Sequence, residues 1–295
     1  MKTETFFDPE TWTLTHVVFD PAERVGVVID PVLDFDPVTG RTRTDAAEQV
    51  ARFLDRERLA VPFVLDTHAH ADHVTAMPFF KSRFGARSAI GKEIVHVQRT
   101  FAALFDLGDD FACDGSQFDR LLSHGERLDV GPFEIEAWHT PGHTPACMSY
   151  RVGDLLFVGD VLFQPDYGTA RCDFPGGSAV DLYRSIRTLY AELPAETRVL
   201  TGHDYRPGGR PVAFESTLEA QRSSNVQLPA SVDEADFVRF REERDASLSL
   251  PRLMLPSVQL NIRAGEFPEP AGNGLAYLKI PLNAPIGGRS GGRPR

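Results

Sequence analysis

The segment Thr67-His68-Ala69-His70-Ala71-Asp72-His73 limits what this chain can be more than any other feature, because it sets three imidazoles and a carboxylate within six consecutive positions. It begins where a short apolar run, Pro62 to Leu65, stops. It precedes a stretch from Ala76 to Phe84 that reads as a helix ended by Gly85. In an extended segment His68 and His70, two residues apart, project to one side. Asp72 and His73 follow after the chain turns and approach the same point from another direction. Imidazole mixed with carboxylate suits zinc, iron or manganese better than calcium or magnesium.

Three further groups of the same chemistry stand at the ends of later elements. His143 lies in the loop Thr140-Pro-Gly-His143, after a strand in which Phe133, Ile135 and Ala137 alternate with Glu134, Glu136 and Trp138. Asp160 follows the apolar strand Leu155 to Val158, and His203 follows the strand Arg198 to Thr201. Any one of these is read most simply as a loop or capping residue. Five of the nine histidines at strand ends, together with Asp72 and Asp160, are read as a metal centre.

The rest of the chain mixes strands with helices. Leu14 to Phe19 and Val25 to Ile29 read as strands, and Asp45-Ala-Ala-Glu48 opens a helix in the manner of a capping box. Met148 to Val152 and Leu155 to Val158 read as a hairpin around Gly153-Asp154. Ser178 to Ala191 reads as a helix. Two more helices are expected around Phe214 to Ser224 and Ser231 to Asp245, before a Pro-punctuated stretch from Pro251 to Pro285. This alternation predicts an α/β chain, with sheets covered by helices and function on the loops at strand ends.

Lysine and arginine total 31 against 42 acidic residues, a net charge of −11 over 295 residues. That disfavours nucleic acid or an anionic membrane as partner. No apolar run approaches the roughly 20 residues of a membrane helix, and the first residues lack a signal-peptide apolar stretch. The three cysteines, at 113, 147 and 172, form neither a disulfide framework nor a Cys-x-x-Cys pair. The expected compartment is therefore the reducing cytoplasm. Cys147 and Cys172 are read as small core residues, with Cys172 left open as a secondary redox target.

The set His68-x-His70-x-Asp72-His73, His143, Asp160 and His203 matches the ligand order of the metallo-β-lactamase superfamily, which the chain resembles from about residue 12 to 210. The resemblance implies an αββα sandwich with the metal site on one edge. The corresponding division is a catalytic domain over residues 1–210, a C-terminal extension packed on it over 211–285, and a disordered tail over 286–295. Within the superfamily three stretches resemble the persulfide dioxygenase (sulfur dioxygenase) branch: Thr140-Pro-Gly-His143-Thr-Pro-Ala-Cys147, Asp166-Tyr-Gly-Thr-Ala-Arg171-Cys-Asp173-Phe, and Gly202-His203-Asp204-Tyr205. The segment Pro256 to Gly265 resembles the C-terminal part of bacterial members.

This resemblance implies one Fe(II) per chain, held by His68, His143 and Asp160 as catalytic ligands. His70, Asp72, His73 and His203 would support those ligands through hydrogen bonds. Arg171 and Tyr205 would contact the glutathione moiety, with Thr144 adding a polar contact. The implied activity is oxidation of glutathione persulfide, or a similar small persulfide, by O2 to sulfite and thiol. A homodimer is compatible with it. One departure leaves the thiol carrier open: the chain has Ala170-Arg171-Cys172-Asp173 where animal members have Gly-Arg-Thr-Asp. An alternative also stands, because all seven donors of a dinuclear zinc site are present. A zinc-dependent thioester hydrolase of the glyoxalase II type would use them to activate a bridging hydroxide. Ligand counting does not separate iron from zinc.

Overall fold

The structure is a computed structural model that describes residues 1–284, so the expected disordered tail, 286–295, lies outside the described residues. The first half runs β1 (Lys2–Phe7), β2 (Leu14–Asp20), β3 (Val25–Ile29), β4 (Val32–Asp36), β5 (Arg41–Arg43), α1 (Asp45–Glu57), β6 (Ala60–Leu65), β7 (Val74–Thr75), α2 (Met77–Phe84), β8 (Arg87–Gly91) and α3 (Ile94–Phe105). The middle continues with β9 (Arg120–Leu122), β10 (Arg127–Asp129), β11 (Glu134–His139), β12 (Met148–Val152), β13 (Leu155–Phe157), α4 (Ala179–Glu192), β14 (Arg198–Leu200) and β15 (Glu215–Thr217). Three helices follow, α5 (Leu218–Ser224), α6 (Glu234–Asp245) and α7 (Met254–Asn261).

The strands make two six-stranded sheets, ordered β1-β2-β3-β6-β8-β9 and β10-β11-β12-β13-β14-β15, with a small sheet β5-β4-β7 beside them. The two-residue period of a strand sorts side chains into layers. Val27 and Ile29 of β3, Phe63 and Leu65 of β6, and Leu155 and Phe157 of β13 face the space between the sheets. Their neighbours Val28 and Val64 face outward onto Val50, Phe53 and Leu54 of α1 and Phe80 of α2. On the far side Leu156 and Val199 pack against Leu182, Ile186 and Leu189 of α4. Burial on both strand faces explains why these runs read as continuously apolar, and it gives the αββα sandwich.

Both sheets end their central strands at one edge. There Leu14 N donates to Gly202 O at 2.8 Å and Met148 N to Thr67 O at 2.8 Å, tying the loops of one sheet to those of the other. The Tyr150 hydroxyl, buried between the sheets, donates to Asp66 O at 2.8 Å. The loops after β3, β6, β11, β13 and β14 therefore meet.

Two local expectations are corrected. The helix expected from Phe214 begins only at Leu218, because Glu215–Thr217 adds an edge strand to β14. Glu215 there accepts both guanidinium bonds of Arg198, each at 2.7 Å, and Thr217 caps the shortened helix through Ala220 N. The capping box at α1 does not form either: Thr44 is the N-cap with no side-chain bond, and Asp45 pairs with Arg43. Ala46 N donates instead to Asp34 of the neighbouring strand at 3.0 Å. A tertiary contact has taken over the work of the local cap.

The C-terminal helices pack on both flanks. Leu218 and Phe237 join the cluster around α4. Met254, Val258 and Ile262 join the cluster around α1 and α3. No helix among the described residues is long and apolar enough to cross a membrane.

Candidate metal centre

The loop edge brings all seven donors together, in two groups. One ligand atom each from His68, His143 and Asp160 lies within 4.8 Å of the others, and the same holds for His70, Asp72, His73 and His203. Asp160 touches both groups: Oδ2 is 3.8 Å from His68 Nε2 and 3.7 Å from His143 Nε2, while Oδ1 is 3.3 Å from His203 Nε2. Asp72 Oδ2 lies 3.1 Å from His203 Nε2. The backbone between these groups leaves little room for side chains: a Cβ at Gly202 would stand 2.9 Å from Asp160 Oδ1, and one at Gly159 would stand 2.3 Å from the Thr67 hydroxyl.

The hydrogen bonds on the outer side of each ring fix which nitrogen faces inward. His143 Nδ1 lies 2.7 Å from Arg171 O, so it carries the proton and leaves Nε2 bare. His68 Nδ1 donates to the Thr67 hydroxyl at 3.0 Å, which itself donates to Asp30 at 2.9 Å. His70 is turned the other way: Nε2 donates to Asp30 Oδ1 at 3.0 Å and Nδ1 is left inside. His73 Nδ1 faces Thr13 Oγ1 at 3.3 Å. The inward atoms His68 Nε2, His70 Nδ1, His73 Nε2, His203 Nε2 and Asp160 Oδ1 are all buried without a hydrogen-bond partner among the described residues. Buried polar groups are rarely left so, and convergent bare imidazole nitrogens beside a carboxylate are a donor set that fits a transition metal.

Electrostatics agree with that fit. Burial, with the neighbouring imidazoles adding to it, pushes His68 and His70 well below the usual imidazole range, so both stay neutral. Burial alone would raise Asp72, but His203 and His73 hold its carboxyl well below the usual range. Burial disfavours a charged His203, yet Asp160 and Asp72 beside it raise its pKa. Asp160 is itself raised by burial, with His203 opposing.

A cavity of about 730 Å³ opens over His143, Asp72 and Asp160. Phe163, Tyr167, Phe174 and Tyr205 form much of its wall, and Arg244 and Arg252 lie at its C-terminal side. Tyr205 stacks on His203 with ring centroids 5.5 Å apart, and burial pushes its phenol well above 10. Its hydroxyl therefore stays a neutral donor, and it has no partner among the described residues. Arg171 also lines the cavity, but it is already engaged. Nε and Nη2 grip Asp173 at 2.6 and 2.7 Å, and Nη1 donates to Ser249 O at 2.7 Å. Of its five N–H donors, two remain free.

The Thr144 hydroxyl lies 3.1 Å from Cys147 Sγ and accepts from Ala146 N. Cys147 is buried, its thiol pushed up to about 12 by desolvation. Cys172 is buried too, with a thiol raised well above 9 by desolvation and then by Asp245, which argues against its being a ready redox target.

Asp30 escapes the reading from sequence. It accepts from Thr67 N at 2.7 Å, from the Thr67 hydroxyl and from His70, and so orients two ligand rings at once. The signal was there, because Asp30 follows the strand Val25–Ile29 as Asp66 and Asp160 follow theirs. Asn261 carries no such signal.

Comparison with known proteins agrees with this geometry. Residues 27–203 match the metallo-beta-lactamase superfamily. The chain is 50% identical to a probable metallo-hydrolase of Burkholderia pseudomallei, over 96% of this chain and 100% of the relative. It is 42% identical to glyoxylase B2 of Dictyostelium discoideum, over 96% and 97% of the two chains. It is 29% identical to the mitochondrial persulfide dioxygenase ETHE1 of Bos taurus, over 88% and 87%. The crystal structure of ETHE1 from Myxococcus xanthus superposes with a TM-score of 0.72 at 30% identity, covering 90% of this chain and 100% of that one.

Proposed function

Because this chain belongs to the metallo-beta-lactamase superfamily, we propose that its centre oxidises a low-molecular-weight persulfide, glutathione persulfide or a close analogue, with O2 to sulfite and free thiol. The observation that carries this reading is the set of two imidazoles and one carboxylate, His68, His143 and Asp160, in which His143 and Asp160 face an open cavity. Iron(II), when bound by these three, would supply redox chemistry and vacant positions for an anionic sulfur and O2 side by side. One persulfide, one O2 and one water are consumed, and one thiol, one sulfite and two protons are released. Both atoms of O2 and the water oxygen end on the terminal sulfur, and the sulfur–sulfur bond breaks.

The chain's own part is orientation and exclusion. Thr67, Asp30 and the Arg171 carbonyl hold the ligand rings with their bare nitrogens inward. Phe163, Tyr167 and Phe174 keep the cavity wall apolar, and the Tyr205 hydroxyl offers a hydrogen bond to the carrier. The net charge of −11 favours a small diffusible substrate over nucleic acid or an anionic membrane. Three free cysteines suit the cytoplasm. Purified protein is expected to hold about one iron per chain and to take up O2 with glutathione persulfide in step with sulfite release. No O2 uptake with any small persulfide would reject the reading.

The four-donor set His70, Asp72, His73 and His203 favours a second reading. Two zinc ions in a hydrolase of the glyoxalase II type would use both sets, and the names of the Burkholderia and Dictyostelium relatives lean that way. About two zincs per chain with cleavage of S-lactoylglutathione, and no O2 uptake, would establish it instead.

Arg171 also takes part under the first reading, through the two N–H groups that Asp173 and Ser249 leave free. Arg171→Ala is expected to raise KM for glutathione persulfide about tenfold with metal content unchanged. Arg171→Lys should not restore it, because an ammonium cannot keep the two-pronged grip on Asp173 while reaching the substrate. An unchanged KM in Arg171→Ala would take Arg171 out of the substrate site.

A further inference from the structure

We infer that Asn261, on the C-terminal helix α7, is a positioning residue for the metal centre, clamping the histidine loop from outside the segment that defines the family. The inference rests on the reading of that loop as a metal site.

The loop between β6 and β7 has no ladder of its own. It turns sharply to bring His68, His70, Asp72 and His73 inward, which leaves its carbonyls pointing out into protein rather than water. Buried carbonyls need donors. Asn261 Nδ2 supplies both that matter, donating to His70 O at 2.8 Å and to His73 O at 2.8 Å. Its Oδ1 accepts from Thr75 N at 2.9 Å, where the loop re-enters a strand. One amide thus uses both of its donors and its acceptor on three backbone groups flanking Asp72, and it is buried at 1% exposure.

Asn261 is itself held still. The carbonyl of the next residue, Ile262, accepts from Gln98 of α3 at 3.0 Å. Gly265 passes so close to β7, where the loop ends, that a Cβ there would stand 2.8 Å from Thr75 O. The family match ends at residue 203, so this clamp comes from chain beyond it. A two-donor clamp on these carbonyls sets the spacing of His70 and His73, and with it the loop that carries His68, without touching a metal.

The test uses full-length protein and a cobalt(II) titration, read by affinity and by the visible absorption bands that report coordination geometry. Asn261→Asp keeps the shape and the acceptor for Thr75 but sets a carboxylate against two carbonyls. Asn261→Ala removes all three bonds. Gln259→Ala is the control: on the same helix it loses its bonds to Lys279 N and O, at 2.9 and 2.7 Å, neither of which lies in the loop. Both Asn261 variants are expected to bind cobalt about 10- to 100-fold more weakly, with shifted bands, while Gln259→Ala matches the wild type. Folded Asn261 variants with wild-type affinity and spectrum would overturn the inference. If Asn261→Ala does not fold, Asn261→Asp decides alone. If neither folds while Gln259→Ala does, the role is structural and positioning is rejected. A wild-type chain that takes up neither cobalt nor iron would instead sink the metal reading beneath it.

Discussion

Asp160→Ala is expected to lose its metal and at least about 10³-fold of its turnover together, a larger loss than the 10- to 100-fold typical of residues that only support a ligand. The reason is position. Among the described residues Asp160 is the one carboxylate that faces both donor groups, with Oδ2 toward His68 and His143 and Oδ1 toward His203. Removing it breaks the three-donor set, and the two imidazoles that remain do not make a tight site. Fold loss should not account for the result. Burial raises the Asp160 carboxyl above its ordinary pKa, so its stabilising contribution is present below the unfolded carboxylate range and is lost as pH rises through the folded value. Burial thus disfavours the carboxylate in the metal-free fold, and its removal should not lower the metal-free Tm. His70→Ala makes the informative contrast. If one ion sits with His68, His143 and Asp160, this variant still takes up one ion, with affinity lowered about 10- to 100-fold, and loses only part of its activity; if two ions are needed, metal content falls as well. Metal analysis with the oxygen electrode reads both. An Asp160→Ala protein with full metal and turnover would remove Asp160 from the centre.

How much of this was legible beforehand depended on distance along the chain. His68, His70, Asp72 and His73 could be read because their spacing is local, and a strand followed by a turn is enough to converge them. Asp160 and His203 could be read because each follows an apolar run, and apolar runs buried on both faces are hard to mistake, and His143 because it follows a strand of alternating burial. Asp30 follows the same rule, but Asp30-Pro31 also looks like an ordinary turn. Asn261 was out of reach: its partners lie 188 and 191 residues away and its helix sits among prolines, with no periodic stripe to mark it. The same holds for Arg171. Asp173 is two residues away, but the Ser249 carbonyl that fixes its third N–H comes from 78 positions downstream. At Glu215–Thr217 an open sheet edge and the Arg198 partner outweighed a local pattern that looked helical. Propensity is a weak prior where a long-range partner is waiting.

The largest stability effect is expected at a pair that no metal touches. Arg241 is fully buried on α6, with Nε and Nη2 donating to Asp245 Oδ1 at 3.0 and 2.7 Å and Nη1 to Gln227 Oε1 at 2.9 Å. Asp245 Oδ2 accepts from Cys172 N at 2.7 Å, and Gln227 accepts from Thr169 N at 3.0 Å. The pair thus ties α6 to the segment 169–172 that forms one wall of the cavity. Asp245→Ala strands a guanidinium away from water and leaves the Cys172 amide unpaired. Removing one partner of a buried pair costs about 3–5 kcal/mol, which at about 2–4 °C per kcal/mol for a chain of this size lowers Tm by roughly 10 °C. The wall that carries Arg171 should loosen with it, so KM rises more than kcat falls. Replacing both partners, Arg241→Met with Asp245→Leu, removes the stranded charge and should recover part of the loss. A double-mutant cycle would then give a coupling of about 2–3 kcal/mol. Calorimetry of the four proteins decides it. If Asp245→Ala melts within a degree or two of the wild type, the cation has found water, and the pair does not hold the extension to the cavity wall.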